Sequence, residues 1–129
     1  RFWPGMGVHD LSEGSEGMSV VDLKDFQTDF NCNAALIKRM DLIVSVDTAT
    51  GHLAAAMGKP VWLLVASHND WRWGPSGTRT PWYPNMRIIR QPTLGDWDTV
   101  FKTAARWLEA ASGEKDFQAA CLRQDEEVG

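Results

Sequence analysis

The residues with the clearest chemical potential lie in the segment SVDTATGHL at positions 45–53. An apolar run, DLIV at 41–44, precedes this segment, and a run of three alanines at 54–56 follows it. The pattern predicts a strand that ends near Val46 and a helix that begins within about three residues. A tight turn of this kind leaves the first helical N–H groups unpaired at the positive end of the helix dipole. The segment therefore predicts an anion site suited to a phosphate or diphosphate.

The side chains of the turn suit the same chemistry. The predicted diphosphate-binding residues are Asp47, Thr48, Ala49, Thr50, Gly51 and His52. Asp47 is expected to act as the N-cap and to fix the turn by accepting backbone N–H bonds. The two threonines add hydroxyls, while Ala49 and Gly51 let a ligand approach the backbone closely. His52, in the first helical turn, can donate to a phosphate oxygen or protonate a leaving group.

Other interpretations of these residues remain open. Asp47 can be an ordinary helix cap, and His52 can be a surface or packed residue. The two could also form part of a metal site, but no third ligand lies nearby, so neither a metal nor a cofactor is predicted. A triad with Ser45 is disfavoured, because Ser45 lies in the strand and not on a nucleophile elbow. The chain contains neither a glycine-rich dinucleotide fingerprint nor a P-loop lysine pattern.

A loop at 66–85, rich in aromatic residues, leaves the carboxyl end of the next apolar run. A loop of this length inside a compact domain is usually functional or disordered, and this one is too aromatic for disorder. Its indole rings can stack on a nucleobase or sugar ring, and its arginines can bind phosphate. The predicted pocket wall consists of Trp71, Arg72, Trp73 and Arg79. Alternatively, the rings of Trp82 and Tyr83 fill the core of the domain or an interface with a missing partner domain.

Strands and helices alternate around these two segments. Continuous apolar runs predict strands at 18–23, 41–46, 61–65 and 86–90. Periodic apolar positions predict helices at 31–40, at 49–58 and after Asp96. The order predicts an α/β fold, a Rossmann-like parallel sheet with helices on both faces, and in such sheets ligands bind at the carboxyl ends of the strands. The 41–46 strand is expected to be covered on both faces.

The remaining segments complete the predicted domain organisation. The last helix is expected to bury a stripe formed by Trp97, Val100, Phe101, Ala104 and Leu108. Residues 1–17 are predicted to be irregular, 18–111 to form the Rossmann-like domain, and 112–129 to form a polar, acidic, solvated tail with a partial helix at 117–120.

Composition excludes several classes of protein. The chain has 129 residues and a formal net charge of −4, with no basic cluster longer than Lys38-Arg39, so a nucleic-acid partner is not expected. Two cysteines without metal-type spacing, Cys32 and Cys121, indicate free thiols in a reducing compartment, and the predicted location is cytoplasmic. No apolar run is long enough for a transmembrane segment, and the N-terminus lacks the architecture of a signal peptide.

Several motifs in order carry a family resemblance. The segments DLIVSVDTATGHLAAAMGKPVWLL, DWRW, PWYP, MRIIRQP and GDW resemble the C-terminal half of glycosyltransferases of the heptosyltransferase type, glycosyltransferase family 9. The likeness covers residues 18–110 and is closest to the bacterial branch that follows tetratricopeptide repeats. The family has the GT-B architecture, two Rossmann-like domains with a cleft between them. Its C-terminal domain binds the nucleotide-sugar donor, and its N-terminal domain supplies the acceptor side and usually the catalytic base.

The resemblance implies roles for the turn. Asp47, Thr48, Ala49 and His52 match the donor-binding turn, often Asp-Thr-Gly-x-x-His, with Ala49 in the place of the glycine. The backbone N–H groups of Thr48 and Ala49 would hold the diphosphate, and His52 would support the leaving phosphate. The implied reaction transfers a hexosyl or heptosyl group with inversion and without a metal.

Two departures from the family limit this expectation. The cleft needs two domains, and this sequence is one domain long. The catalytic base is therefore expected in a missing N-terminal domain. The chain alone is expected to turn over little or no donor. The N-terminal segment at 1–18 also departs from the family pattern. The alternative from another class is a non-catalytic protein-interaction module, or a truncated relic, that docks through the tryptophan-rich loop.

Overall fold

The computed structural model describes residues 21–23, 25 and 29–124. Its elements are, in order, α1 (Phe30–Lys38), β1 (Ile43–Val46), α2 (Ala49–Ala56), β2 (Val61–Val65), a short 3-10 helix (Trp71–Trp73), β3 (Met86–Arg90), α3 (Trp97–Ser112) and α4 (Phe117–Arg123). The strands form one parallel sheet in the order β1-β2-β3. Ile43 pairs with Val61, and Val61 pairs with Met86. The α/β, Rossmann-like class predicted from the sequence is confirmed.

Helices cover both faces of this sheet. Side chains alternate along β2, which is buried throughout. One apolar cluster joins the sheet to α1 and α2 and contains Ile37, Ala54, Ala55, Val61, Leu63, Val65, Trp73, Met86 and Ile88. The other joins the sheet to α3 and α4 and contains Trp62, Leu64, Ile89, Val100, Trp107, Ala111, Ala120 and Cys121. The predicted two-sided arrangement of helices is therefore correct.

Local sequence signals set the ends of most helices. Asp29, Asp96 and Asp116 are the N-caps of α1, α3 and α4, and each carboxylate accepts a backbone N–H three residues later. Helix α2 ends before Gly58, which has a φ of 82° that favours glycine. The side-chain amide of Asn85 donates to the carbonyls of Ala55 and Lys59, and this satisfies the C-terminal end of α2. The predicted start of a helix at Asp96 is confirmed.

Strand β1 departs from its prediction. It was expected to be covered on both faces, yet the side chains of Val44 and Val46 are each 48% exposed. Both point to the face where Trp62 of the neighbouring strand lies. Helix α3 covers this same face, but it packs against β3 at the opposite edge of the sheet. The outer strand β1 is therefore covered on only one face.

The buried side of α3 also differs from its prediction. Phe101 and Leu108 were expected to face the core, but they are 58% and 42% exposed. The buried residues are Val100, Trp107 and Ala111. Spacings of seven and four residues place these three on one face of a helix. Trp97 and Ala104 pack against the same cluster as Val100, so the predicted stripe is correct at three of its five positions and wrong at Phe101 and Leu108.

The end of the described chain is more ordered than predicted. Helix α4 covers 117–123 and buries Ala120 and Cys121 against α3 and the sheet, so the expected solvated tail is wrong for this stretch. The partial helix predicted at 117–120 is correct and extends further. Of the strand predicted at 18–23, residues 21–23 are not in a strand. Residues 18–20, the irregular segment 1–17 and residues 125–129 lie outside the described residues, and the domain division stays a prediction.

Candidate functional site

The turn between β1 and α2 leaves the start of α2 without a side-chain cap. The N-cap is Thr48, and its side chain makes no capping bond within the described chain. The Thr48 hydroxyl lies 3.2 Å from the Ser45 hydroxyl, and Ser45 donates to the carbonyl of Val46. The start of α2 therefore has no N-cap side-chain bond among the described residues, whereas the starts of α1, α3 and α4 are capped by aspartates. The prediction that Asp47 is the N-cap is wrong.

The carboxylate of Asp47 faces the loop after β2. One oxygen accepts a hydrogen bond from the indole N–H of Trp73 at 2.9 Å. The other lies 3.5 Å from Nε2 of His52. The side chain of Asp47 is 36% exposed, so it lies at the edge of the site and not in the core. Asp47 therefore links the turn to the aromatic loop and does not occupy the helix N-terminus.

His52 is held between the turn and the loop. Its Nδ1 lies 3.0 Å from the hydroxyl of Tyr83, and its Nε2 faces Asp47. The ring centroid is 5.4 Å from that of Trp73 and 5.8 Å from that of Tyr83. Of the two non-catalytic interpretations, a packed His52 therefore fits the structure and a surface His52 does not. Both ring nitrogens have a defined partner.

An aromatic cavity of about 290 Å³ adjoins this histidine. Its lining residues are His52, Trp71, Arg72, Trp73, Trp82 and Tyr83. The rings of Trp71 and Trp82 meet edge to face, with centroids 6.1 Å apart, and they are 74% and 55% exposed. Trp73 is buried at the base. Three of the four residues predicted for the pocket wall line the cavity, whereas Arg79 is exposed and does not line it.

Gly51 has a packing role. A Cβ at this position would lie 3.2 Å from Cδ1 of Leu63 and 3.6 Å from the Ser45 hydroxyl oxygen. Gly51 is buried, so its bare backbone lets α2 approach β2. The prediction that Gly51 gives a ligand access to the backbone is therefore not supported. Ala49 remains exposed at the first position of the helix, where a ligand could reach it.

Arg90, which sequence reasoning missed, organises the aromatic loop. This last residue of β3 donates from Nε to the carbonyl of Gly77 at 2.8 Å and from Nη1 to the carbonyl of Gly74 at 2.9 Å. It also donates to the carbonyls of Trp73 and Ser76. One guanidinium thereby folds the segment that places Trp73 beneath the cavity. The only hint in the sequence is an arginine at the carboxyl end of an apolar strand.

Over 21–23, 25 and 29–124, no group of three or more His, Cys, Asp or Glu side chains is arranged to hold a metal ion. In the same part of the chain, no helix has both the length and the apolar character needed to cross a bilayer. That the chemistry needs no metal stays a prediction.

The parallel sheet, the helices on both faces and the turn at the carboxyl end of β1 define a Rossmann-like α/β domain. The chain belongs to glycosyltransferase family 9 (heptosyltransferase), whose family model matches residues 18–103. It is also similar to Protein FlbA of Caulobacter vibrioides (strain ATCC 19089 / CIP 103742 / CB 15), with 31% identity over 97 residues. That match covers 74% of this chain and 15% of FlbA, so the chain spans a small part of the length of this relative. No solved structure matches the chain.

Proposed function

We propose that the chain binds the diphosphate of a nucleotide-sugar donor at the start of α2, as the donor-binding part of a glycosyltransferase. The observation that carries this proposal is the uncapped N-terminus of α2 beside an aromatic cavity, in a chain of glycosyltransferase family 9. Backbone N–H groups at Thr48 and Ala49 would hold the diphosphate. His52 would support the leaving phosphate.

Electrostatics supports the anion part of the proposal. The unpaired N–H groups and the helix dipole together favour a negative charge by about 0.3–2 kcal/mol per interaction, depending on burial. The carboxylate of Asp47, a negative group close to this turn, accepts the indole N–H of Trp73 and does not bond to the helix N–H groups. The donors of α2 therefore remain free for a phosphate. Nε2 of His52 lies on the same side as Asp47 and adds a further donor.

The cavity supports the ring part of the proposal. Trp71 and Trp82 present exposed indole faces on which a nucleobase or a sugar ring can stack. The side chain of Arg72 is about half exposed, and its Nη1 lies 3.5 Å from a carboxylate oxygen of Asp70. An exposed ion pair of this length is weak, so a phosphate can compete for the guanidinium. The proposed pocket wall is therefore Trp71, Arg72 and Trp73.

The finer features of the reaction follow the family resemblance. The proposed transfer inverts the anomeric centre and needs no metal, because the start of α2 supplies the positive potential that a divalent ion would otherwise supply. An N-terminal Rossmann-like domain would supply the catalytic base and the acceptor side. Membership of the branch that follows tetratricopeptide repeats is part of the same proposal. The isolated chain is expected to bind donor with little or no turnover.

Titration with nucleoside diphosphates tests the donor site. We expect ADP, GDP, UDP or CDP to change the tryptophan fluorescence, since Trp71, Trp73 and Trp82 line the cavity. Ala49→Glu places a carboxylate at the first, exposed position of α2, where it favours the helix but competes with a diphosphate. We expect this variant to bind at least tenfold more weakly.

Ala110→Glu is the matched control, because it makes the same charge change at an exposed position of α3. Its affinity is expected to stay within twofold of the unsubstituted chain. A chain that responds to none of the four diphosphates, or an Ala49→Glu variant that binds as well as the control, would refute the donor site.

A protein-interaction module is the second candidate function. It is favoured by the exposure of Trp71 and Trp82, two large rings side by side on one loop. Sedimentation of the unsubstituted chain and of a Trp71→Ser, Trp82→Ser double variant distinguishes this candidate. Concentration-dependent association that the double variant loses, together with no response to nucleoside diphosphates, would favour the module.

A further inference from the structure

We infer that Asp47 and Tyr83 are positioning residues for His52: the carboxylate of Asp47 favours the tautomer with its proton on Nε2, the nitrogen beside the turn, and the hydroxyl of Tyr83 holds the ring in that orientation. This inference deepens the proposed function, since it assigns the ring nitrogen that would donate to a phosphate. It depends on three contacts: Trp73 with Asp47, Asp47 with His52, and His52 with Tyr83.

The contact between Trp73 and Asp47 fixes the carboxylate as a hydrogen-bond acceptor. An indole N–H can only donate, so the carboxylate of Asp47 is the acceptor in the 2.9 Å contact. The other carboxylate oxygen is also an acceptor, and it faces Nε2 of His52 at 3.5 Å. A bare nitrogen lone pair would be repelled there. The arrangement is therefore favourable only when Nε2 carries a proton.

The contact with Tyr83 completes the assignment. In a neutral imidazole with the proton on Nε2, Nδ1 has only a lone pair and must accept. The hydroxyl of Tyr83, 3.0 Å away, can donate to it. The opposite tautomer would keep the Tyr83 contact, with the hydroxyl as acceptor, but would turn a lone pair of Nε2 toward Asp47. Of the two neutral tautomers, only the Nε2–H form satisfies both neighbours of the ring.

This geometry leaves Nε2–H available to a ligand. A separation of 3.5 Å is at the long limit for a hydrogen bond, so Asp47 orients the N–H without saturating it. When His52 gains a second proton, the Tyr83 hydroxyl can rotate and accept from Nδ1–H, because a hydroxyl both donates and accepts. Tyr83 therefore keeps the ring in one orientation in both protonation states. A phenylalanine would fill the same space without this function.

Nitrogen NMR of the histidine rings in the uniformly ¹⁵N-labelled full chain tests the assignment. The signals of His52 are identified by their loss in His52→Gln. At a pH where the ring is neutral, we expect ring-nitrogen shifts of the Nε2–H tautomer. In Asp47→Asn, the amide oxygen accepts from the Trp73 indole N–H and the amide NH2 faces Nε2, so we expect the ratio of Nε2–H to Nδ1–H to fall about tenfold. Tyr83→Phe removes a bond that either tautomer can make, and we expect it to shift the Nδ1 signal of His52. Ser112→Ala removes a hydroxyl on α3, far along the chain, and should leave the His52 signals unchanged.

The outcome separates this inference from the proposed function. An Nδ1–H tautomer in the unsubstituted chain, an Asp47→Asn variant with an unchanged tautomer ratio, or a Tyr83→Phe variant with unchanged His52 signals would overturn the inference. Inorganic pyrophosphate, titrated in the same samples, tests the anion site alone: its failure to bind refutes the proposed function without altering the tautomer result. If it binds, we expect its addition to shift the Nε2 signal of His52 more than the Nδ1 signal.

Discussion

At the scale of single residues, the indole N–H of Trp73 determines where the charge of Asp47 lies. The bond holds the carboxylate on the loop side of the turn, 2.9 Å from the indole nitrogen. If the carboxylate turned back to the helix, it would take the N–H groups that the proposed diphosphate needs. Trp73 is buried, so its position is fixed by the core and not by solvent. One buried ring thereby keeps the start of α2 open.

Cys121 gives a prediction at the same scale. Its thiol is fully buried, and burial together with the negative charge of Asp41 raises its pKa to about 11 from 9.0. A raised pKa in the folded state means that the contribution to stability is fully present below about pH 9 and is lost as the pH rises toward 11. We expect the Tm of the unsubstituted chain to fall more steeply between these pH values than that of Cys121→Ala. Thermal melts followed by circular dichroism check this, and parallel slopes would contradict it.

At the scale of elements, the aromatic loop owes its shape to the strand that follows it. Arg90 at the end of β3 reaches back to the carbonyls of Gly74 and Gly77. The side chain of Asn69 donates to the carbonyl of Gly74 as well. These bonds replace the regular backbone pairing that the loop lacks. The cavity is therefore built on the rigid end of the sheet, although its rings lie on a loop.

Replacing Arg90 tests this account of the loop. Lysine keeps the charge of Arg90 but offers a single ammonium group, which cannot reach the separate carbonyls that the planar guanidinium reaches. We expect Arg90→Lys to lower the free energy of unfolding by about 1–3 kcal/mol. Hydrogen exchange measured by mass spectrometry should show faster exchange at 69–77. The exchange of the β2 amides should change only by the amount that the lower free energy of unfolding predicts.

Arg106→Lys is the control for Arg90→Lys. Arg106 lies exposed on α3, and its guanidinium donates to the hydroxyl of Thr103 at 3.3 Å. We expect no change in loop exchange for this variant. If the loop amides of Arg90→Lys exchanged as slowly as those of the control, the proposal that Arg90 holds the loop in place would be wrong.

Local signals predicted the elements well, and tertiary contacts account for most of the errors. The strands at 61–65 and 86–90 are confirmed because both are continuous apolar runs bounded by turn residues. The cap at Asp96 depends only on neighbouring residues, and it too is correct. The role of Asp47, in contrast, depends on Trp73, which is 26 positions away. Sequence spacing contains no information about such a contact.

At the scale of the whole molecule, the central strand β2 connects the two apolar clusters. Leu63 packs on the side of α1 and α2, while its neighbours Trp62 and Leu64 pack on the side of α3 and α4. Loss of either cluster would expose one face of the same strand. We therefore expect the described domain to unfold as one cooperative unit.

Trp62 and Trp107 offer a comparison that tests this coupling. The two rings meet edge to face, with centroids 5.5 Å apart. The indole N–H of Trp62 donates to the carbonyl of Cys121 at 3.0 Å and so ties α4 to the sheet. The indole N–H of Trp107 is buried and has no hydrogen-bond partner among the described residues. A change to phenylalanine therefore removes ring area at both positions but removes a hydrogen bond only at Trp62.

We expect Trp62→Phe to lower the free energy of unfolding by about 1 kcal/mol more than Trp107→Phe, because it leaves the Cys121 carbonyl without its buried donor. Urea unfolding followed by far-ultraviolet circular dichroism and by the fluorescence of the remaining tryptophans measures both variants. The two signals should give one coincident transition in each variant, since both clusters share β2. Equal losses of stability in the two variants would show that the bond to Cys121 contributes nothing measurable. Two separate transitions would show that the clusters on the two faces of the sheet unfold independently.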